Sequence, residues 1–334
     1  MSKFLILDAR KYQCYNHKCR WKGLRFFPPQ SEQINTIQNE VENRDELRNK
    51  ETYLVPKETI SNGIKHLTSY YSIADLYYAF KDNEFALFYQ PKFNIVNHNI
   101  TGVEILLRWR DPEKGFVSPL TFISQDEIKR IILIIGKISL QKGCQQLKSW
   151  HQMGLDPLSV SINLNLDQFH HSDLRDYIYN GIEKSNLDPE FIELEISQET
   201  LLDDLNFSKE IISELKSLKV KTYIDNISLN GLDFEKTSIK KLLSNLPVNG
   251  IKINPSFIQD LSPDSHMYKN FKSLLAMTRN LNVDVVAQGV ETKDQLGLLR
   301  SLGCYTVQGH LFDPALPVED ITDVLKANWL GRSH

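Results

Sequence analysis

The sequence predicts an α/β fold, a modified (β/α)8 barrel of the TIM type preceded by a small N-terminal segment. Three observations carry this. Eight short apolar, strand-like runs recur from residue 85 onward, amphipathic helical stretches fill most of the intervals, and the region spans about 250 residues, the usual size of such a barrel. An open doubly wound sheet is the competing arrangement. No glycine-rich phosphate loop follows the first strand, so that arrangement lacks support.

The expected strands lie at 85–89, 102–109, 160–164, 191–196, 221–224, 250–253, 283–287 and 305–307. Helical periodicity marks 127–150, 174–184, 207–218, 267–281 and 293–302. Residues 1–72 differ in composition. They are aromatic and basic as far as Pro28-Pro29, then polar, with Ile34, Ile37 and Val41 at helical spacing. So narrow a stripe suits a linker helix or a dimer seam, and residues 1–72 are expected to be regulatory or dimerising, with a homodimer as one outcome. A helical stretch at 73–81 leads into the main domain, 73–330.

With 41% hydrophobic and 24% charged residues the chain has the composition of a packed globular protein. Its net charge of -3 creates no global field toward nucleic acid or an anionic membrane, so a polyanionic ligand must be met by local basic groups. No apolar run approaches the roughly 18 residues of a membrane span. The longest, around 131–135, is flanked by Lys129, Arg130 and Lys137. The start reaches Asp8 too early for a secretory segment. A cytoplasmic protein with reduced Cys14, Cys19, Cys144 and Cys304 is expected. Cys14, His17 and Cys19 fall one ligand short of a structural zinc site.

A barrel exposes its working residues where the strands end. Those positions hold Glu104, Asn163, Glu195, Asp225, Lys252, Gln288 and Gln308. Singly, each reads as a solvated strand-end residue. Together, oxygen ligands from several strands joined by one lysine form a set suited to a hard cation and a phosphate.

Tyr89-Gln90-Pro91, Gly102-Val103-Glu104-Ile105-Leu106-Leu107-Arg108-Trp109, Ser118-Pro119 and Phe122-Ile123 follow one another in the first part of this region. Ser161-Ile162-Asn163-Leu164, Glu193-Leu194-Glu195-Ile196-Ser197, Ile251-Lys252-Ile253, Ala287-Gln288-Gly289-Val290-Glu291-Thr292, and Gly303-Cys304 with Gln308-Gly309 complete the series. In this order they resemble the EAL domain, the cyclic di-GMP phosphodiesterase family, with Ile105 where the signature has alanine.

The resemblance implies that Glu104, Asn163, Glu195 and Asp225 are metal ligands and that Lys252 orients the attacking water. It places Gln90, Leu106, Arg108, Pro119, Asp225 and Gln308 at the ligand, with Arg108 near a phosphate. It also implies damage. The family's paired Asp-Asp is Asp225-Asn226 here, the loop that follows does not match, and Gln288 and Gln198 stand where glutamates are expected. An amide carries no charge and cannot accept a proton as a carboxylate does.

The expectation is therefore a catalytically inactive, degenerate EAL barrel acting as a cyclic di-GMP receptor. It would signal through a protein partner, with no required cofactor and at most Mg at a vestigial site. An interaction module that no longer binds nucleotide, and a slow metal-dependent phosphodiesterase, are the alternatives.

Overall fold

The computed structural model describes residues 79, 82, 84–111, 115–117, 129–155, 158–228, 238–263 and 265–330. The expectations for 1–72, for most of 73–81, for Pro119 and its neighbours, and for the part of the non-matching 226–234 stretch beyond residue 228 lie outside these residues.

The eight expected strands are all present: β1 (Phe85–Asn94), β2 (Asn99–Asp111), β4 (Ser159–Leu164), β5 (Ile192–Ser197), β6 (Lys221–Ile227), β7 (Gly250–Ile253), β8 (Asp284–Ala287) and β9 (Thr306–Val307). They close in the order β1-β9-β8-β7-β6-β5-β4-β2 and back to β1. The short β3 (Gly115–Val117), which the sequence reading missed, hangs from β2.

The departure from a regular (β/α)8 barrel is β1, which runs antiparallel to both β2 and β9. Residues 95–98 are turn, too short for a helical crossover, and antiparallel neighbours are what a short turn can join. The Asn94 side-chain oxygen accepts the Val96 and Asn97 N–H groups there, and His98 takes the left-handed conformation at φ 58°. A hairpin thus replaces the first helical connection.

The alternation in β4 and β5 explains the interior. In β4, Val160, Ile162 and Leu164 pack outward, while Ser159, Ser161 and Asn163 face the barrel axis. In β5, Ile192, Leu194 and Ile196 pack outward, leaving Glu193 and Glu195 inside. Parallel strands buried on both faces usually read as continuous apolar runs. Here the period of two places buried acids inside the barrel, where they need partners.

The helical layer supplies the apolar shell. Helix α1 (Lys129–Gln152) buries Leu140, Leu147 and Trp150, and Trp150 meets Tyr89 of β1 edge-on at 5.1 Å. Helix α3 (Leu174–Ser185), which follows the short α2 (Leu166–Phe169), sets Leu174, Ile178 and Ile182 at i, i+4, i+8. The helices beyond β5 and β6 are α4 (Gln198–Asp203), α5 (Leu205–Ser217) and α6 (Ser238–Asn245). After β7 come α7 (Pro255–Gln259) and α8 (His266–Leu281); α9 (Lys293–Leu302) and α10 (Val318–Leu330) complete the layer. Among the described residues no helix is long and apolar enough to cross a membrane.

Candidate ligand site at the barrel mouth

Lys252 of β7 is the centre of the site, and it is wholly buried. Its Nζ donates to Glu104 Oε2 and to Glu195 Oε2, each at 2.6 Å. The second oxygen of Glu104 accepts from Asn163 Nδ2 at 3.0 Å. Gln308 Nε2 donates to Glu104 Oε2 at 2.8 Å and to Gln90 Oε1 at 3.0 Å. Gln90 Nε2 in turn donates to the Asp313 carbonyl at 3.3 Å. Six sequence-predicted residues from six strands or strand ends therefore form one connected network.

Charge explains the network's order. Burial alone would lower the Lys252 pKa, but Glu104, Glu195 and Asp225 outweigh it and hold the pKa above its usual value. Burial alone would raise Glu104, yet the Lys252 charge and hydrogen bonds from Lys252, Asn163 and Gln308 bring it down to about 2. Glu195 moves the other way, to about 8, through burial and the neighbouring Glu104 charge. One lysine cannot neutralise two buried carboxylates, so one carries the charge and the other favours its proton. Asp225 is also raised, first by burial, with Lys252 opposing.

Two buried carboxylate oxygens, Glu195 Oε1 and Asp225 Oδ1, have no hydrogen-bond partner among the described residues. Such orphaned acceptors on adjacent strands fit a hard cation in donor type. A Mg²⁺ there would draw on Glu195 and Asp225, with Glu104 and Asn163 beside them, and would polarise a phosphoryl oxygen when bound. Among the described residues no three His, Cys, Asp or Glu groups gather to hold a metal by themselves. Asn226, in the second Asp position, has its carbonyl oxygen occupied by the Asn254 side-chain amide.

Asn254 was missed in the sequence, although it lies two residues beyond Lys252. Its oxygen also accepts the Ser256 N–H and hydroxyl at the start of α7. Asn226 sits at φ 60°, a left-handed conformation that asparagine tolerates better than most residues. Gln288 stands at the end of β8, half-buried, its backbone N–H on the Ile253 carbonyl. Gln198 Nε2 donates to Ser238 Oγ at 2.6 Å, tying the end of β5 to the start of α6.

Arg108 and Leu106 are not in the network. They lie further along β2, half-buried, on the same face as Glu104. Arg108 Nη1 donates to the Leu107 carbonyl at 2.8 Å. Its pKa is lowered by burial and supported by the Glu104 charge.

A second ionic layer, also missed, lies below the first. Lys92 pairs with Glu193 and donates to Ser161 Oγ at 2.7 Å; Ser159 and Ser161 complete the Glu193 carboxylate at 2.6 and 2.7 Å. Lys92 is two residues from Gln90 and Glu193 two from Glu195, so strand periodicity was the available signal.

A closed barrel with a lysine locked among acids that reach it from non-adjacent strands defines the class: an α/β barrel with a polar, charge-paired mouth. The EAL domain family model matches residues 73–315, and the chain belongs to that family. It is 33% identical over 247 residues to the bifunctional diguanylate cyclase/cyclic di-GMP phosphodiesterase MucR of Pseudomonas aeruginosa, covering 74% of this chain and 35% of that protein. It is also 33% identical over 241 residues to the signaling protein YkoW of Bacillus subtilis, covering 72% of this chain and 29% of that one. The chain thus spans about a third of these relatives' length. The solved PaMucR phosphodiesterase in complex with c-di-GMP superposes with a TM-score of 0.68 at 32% identity, covering 75% of this chain and 98% of that one.

Proposed function

We propose that this chain is a degenerate EAL barrel that binds cyclic di-GMP without hydrolysing it and passes occupancy to a protein partner. The observation that carries this is the Asn226–Asn254 pair. It puts a neutral amide, its oxygen already engaged, where a shared metal carboxylate is expected. Gln288 adds a neutral group at the position expected to assist water activation; loss of a general base typically removes about 10²–10⁴ in rate. The groups that would hold a nucleotide, Gln90, Arg108 and Gln308, are retained around the mouth. Similarity to MucR, whose solved phosphodiesterase structure contains c-di-GMP, supports that ligand.

The orphaned oxygens of Glu195 and Asp225 favour a second reading, a slow phosphodiesterase working with one cation. Two measurements separate the readings. Calorimetric titration of the full chain with cyclic di-GMP, in Mg²⁺ and in chelator, is expected to show binding in both. A hydrolysis assay in Mg²⁺ or Mn²⁺ is expected to show no linear dinucleotide, and Gln288→Glu is expected not to restore it. Product formed by the unaltered chain and lost in Glu104→Ala would establish the phosphodiesterase instead. No heat in either titration would leave a protein-interaction module that ignores nucleotide.

A further inference from the structure

We propose that Phe88 and Phe116 form an aromatic wall at the rim of this site, against which a purine base of the bound nucleotide stacks. This rests on the nucleotide-binding reading above and assigns its base-recognition surface. The pairing of β2 with β4 ends at Ile105, while the pairing of β1 with β2 continues to Phe85 and Trp109. The β1–β2 ribbon therefore continues beyond the paired part of the barrel on the mouth side. Its two faces differ. One buries Tyr89, Ile105 and Trp109, each no more than 4% exposed. The other carries Gln90 and Phe88 from β1, and Glu104, Leu106 and Arg108 from β2, with Phe88 directly opposite Leu106.

Phe88 lies one alternation step beyond Gln90, so the wall is continuous with the Gln90–Glu104–Lys252 network. β3 completes it: Phe116 meets Phe88 at 5.0 Å between centroids and 62° between planes, and remains 47% exposed. A lone exposed aromatic is ordinary. A pair of rings beside a polar mouth, with a cation attached, is a more specific combination. The Arg108 guanidinium lies 5.8 Å from the Phe88 centroid, and one of its nitrogens already serves the Leu107 carbonyl. Its other donors remain suited to an anion beside the rings. A flat heterocycle joined to a phosphate matches both parts, since every base presents a π-face and a phosphate accepts the planar guanidinium fork.

The test is calorimetry of the full chain with cyclic di-GMP, together with the NMR shift of the guanine H8 proton on binding. Phe116→Ala is expected to weaken affinity by about five- to a hundredfold with an unchanged melting temperature, and Phe116→Trp to retain it. Phe88→Leu keeps apolar bulk and loses the ring, and is expected to weaken affinity as well. The bound guanine H8 should move upfield in the unaltered chain and less so in Phe116→Ala. Equal affinity in the unaltered chain, Phe116→Ala and Phe88→Leu would overturn the wall while leaving nucleotide binding intact. Absence of binding by the unaltered chain would overturn both.

Discussion

Lys252 Nζ and Glu104 Oε2, separated by 148 residues in sequence, lie 2.6 Å apart inside the barrel. Both residues are buried, so their interaction is scarcely screened by solvent, and removal of either strands its partner's charge.

Lys252→Met should therefore destabilise the chain strongly. Breaking a buried ion pair from one side costs about 3–5 kcal/mol. Urea denaturation at neutral pH is the measurement. A loss below about 1 kcal/mol would mean that Glu104 and Glu195 find other compensation.

The two glutamates on this lysine predict opposite pH dependences. Glu104, lowered to about 2, contributes stability that is present above the ordinary carboxylate value and lost as pH falls toward 2. Glu195, raised to about 8, binds its proton more tightly folded than unfolded; its contribution is full at acid pH and lost as pH rises from about 4.5 to about 8. Each fully unmatched proton gives a slope of about 1.4 kcal/mol per pH unit. In metal-free buffer Glu195→Gln should flatten the decline between pH 5 and 8. An unchanged slope would show that Glu195 is ionised at neutral pH.

The lower layer offers a double-mutant cycle. Glu193→Leu alone leaves Lys92 uncompensated at 3% exposure and should cost about 3–5 kcal/mol. Lys92→Met with Glu193→Leu replaces the pair by apolar groups and should recover most of that loss. A double variant no more stable than the single one would assign the loss to the Ser159 and Ser161 hydroxyls left without their acceptor.

Arg108→Ala should weaken cyclic di-GMP binding by about ten- to a hundredfold, the range of a charge-assisted hydrogen bond to phosphate. Asn226→Ala should change affinity little, since a neutral amide whose oxygen accepts from Asn254 is a weak substitute for a metal-binding carboxylate. Titration of the two variants side by side checks the contrast, and equal losses would contradict it.

Much of the architecture was legible because it is local. Alternation in Ser-Val-Ser-Ile-Asn-Leu and Ile-Glu-Leu-Glu-Ile-Ser announces two strands with a polar and an apolar face. Spacing alone places Leu174, Ile178 and Ile182 on one side of a helix. Residue type marked Glu104, Asn163, Glu195, Asp225, Lys252 and Gln308 as polar strand ends. The mouth's composition was readable before any coordinate.

What tertiary structure alone decided is who meets whom. Reversal of β1 depends on the 95–98 turn and on closure against β9, which strand propensity does not report. Lys252 reaches acids 148 and 57 residues away because ring closure brings β7 near β2 and β5. The same closure splits chemically identical glutamates, taking Glu104 down and Glu195 up. The Asn226 oxygen accepts from Asn254, and Phe116 meets Phe88, through contacts between separate elements. Sequence patterns determine which face a side chain occupies; partners and charge states arise only when distant strands share one interior.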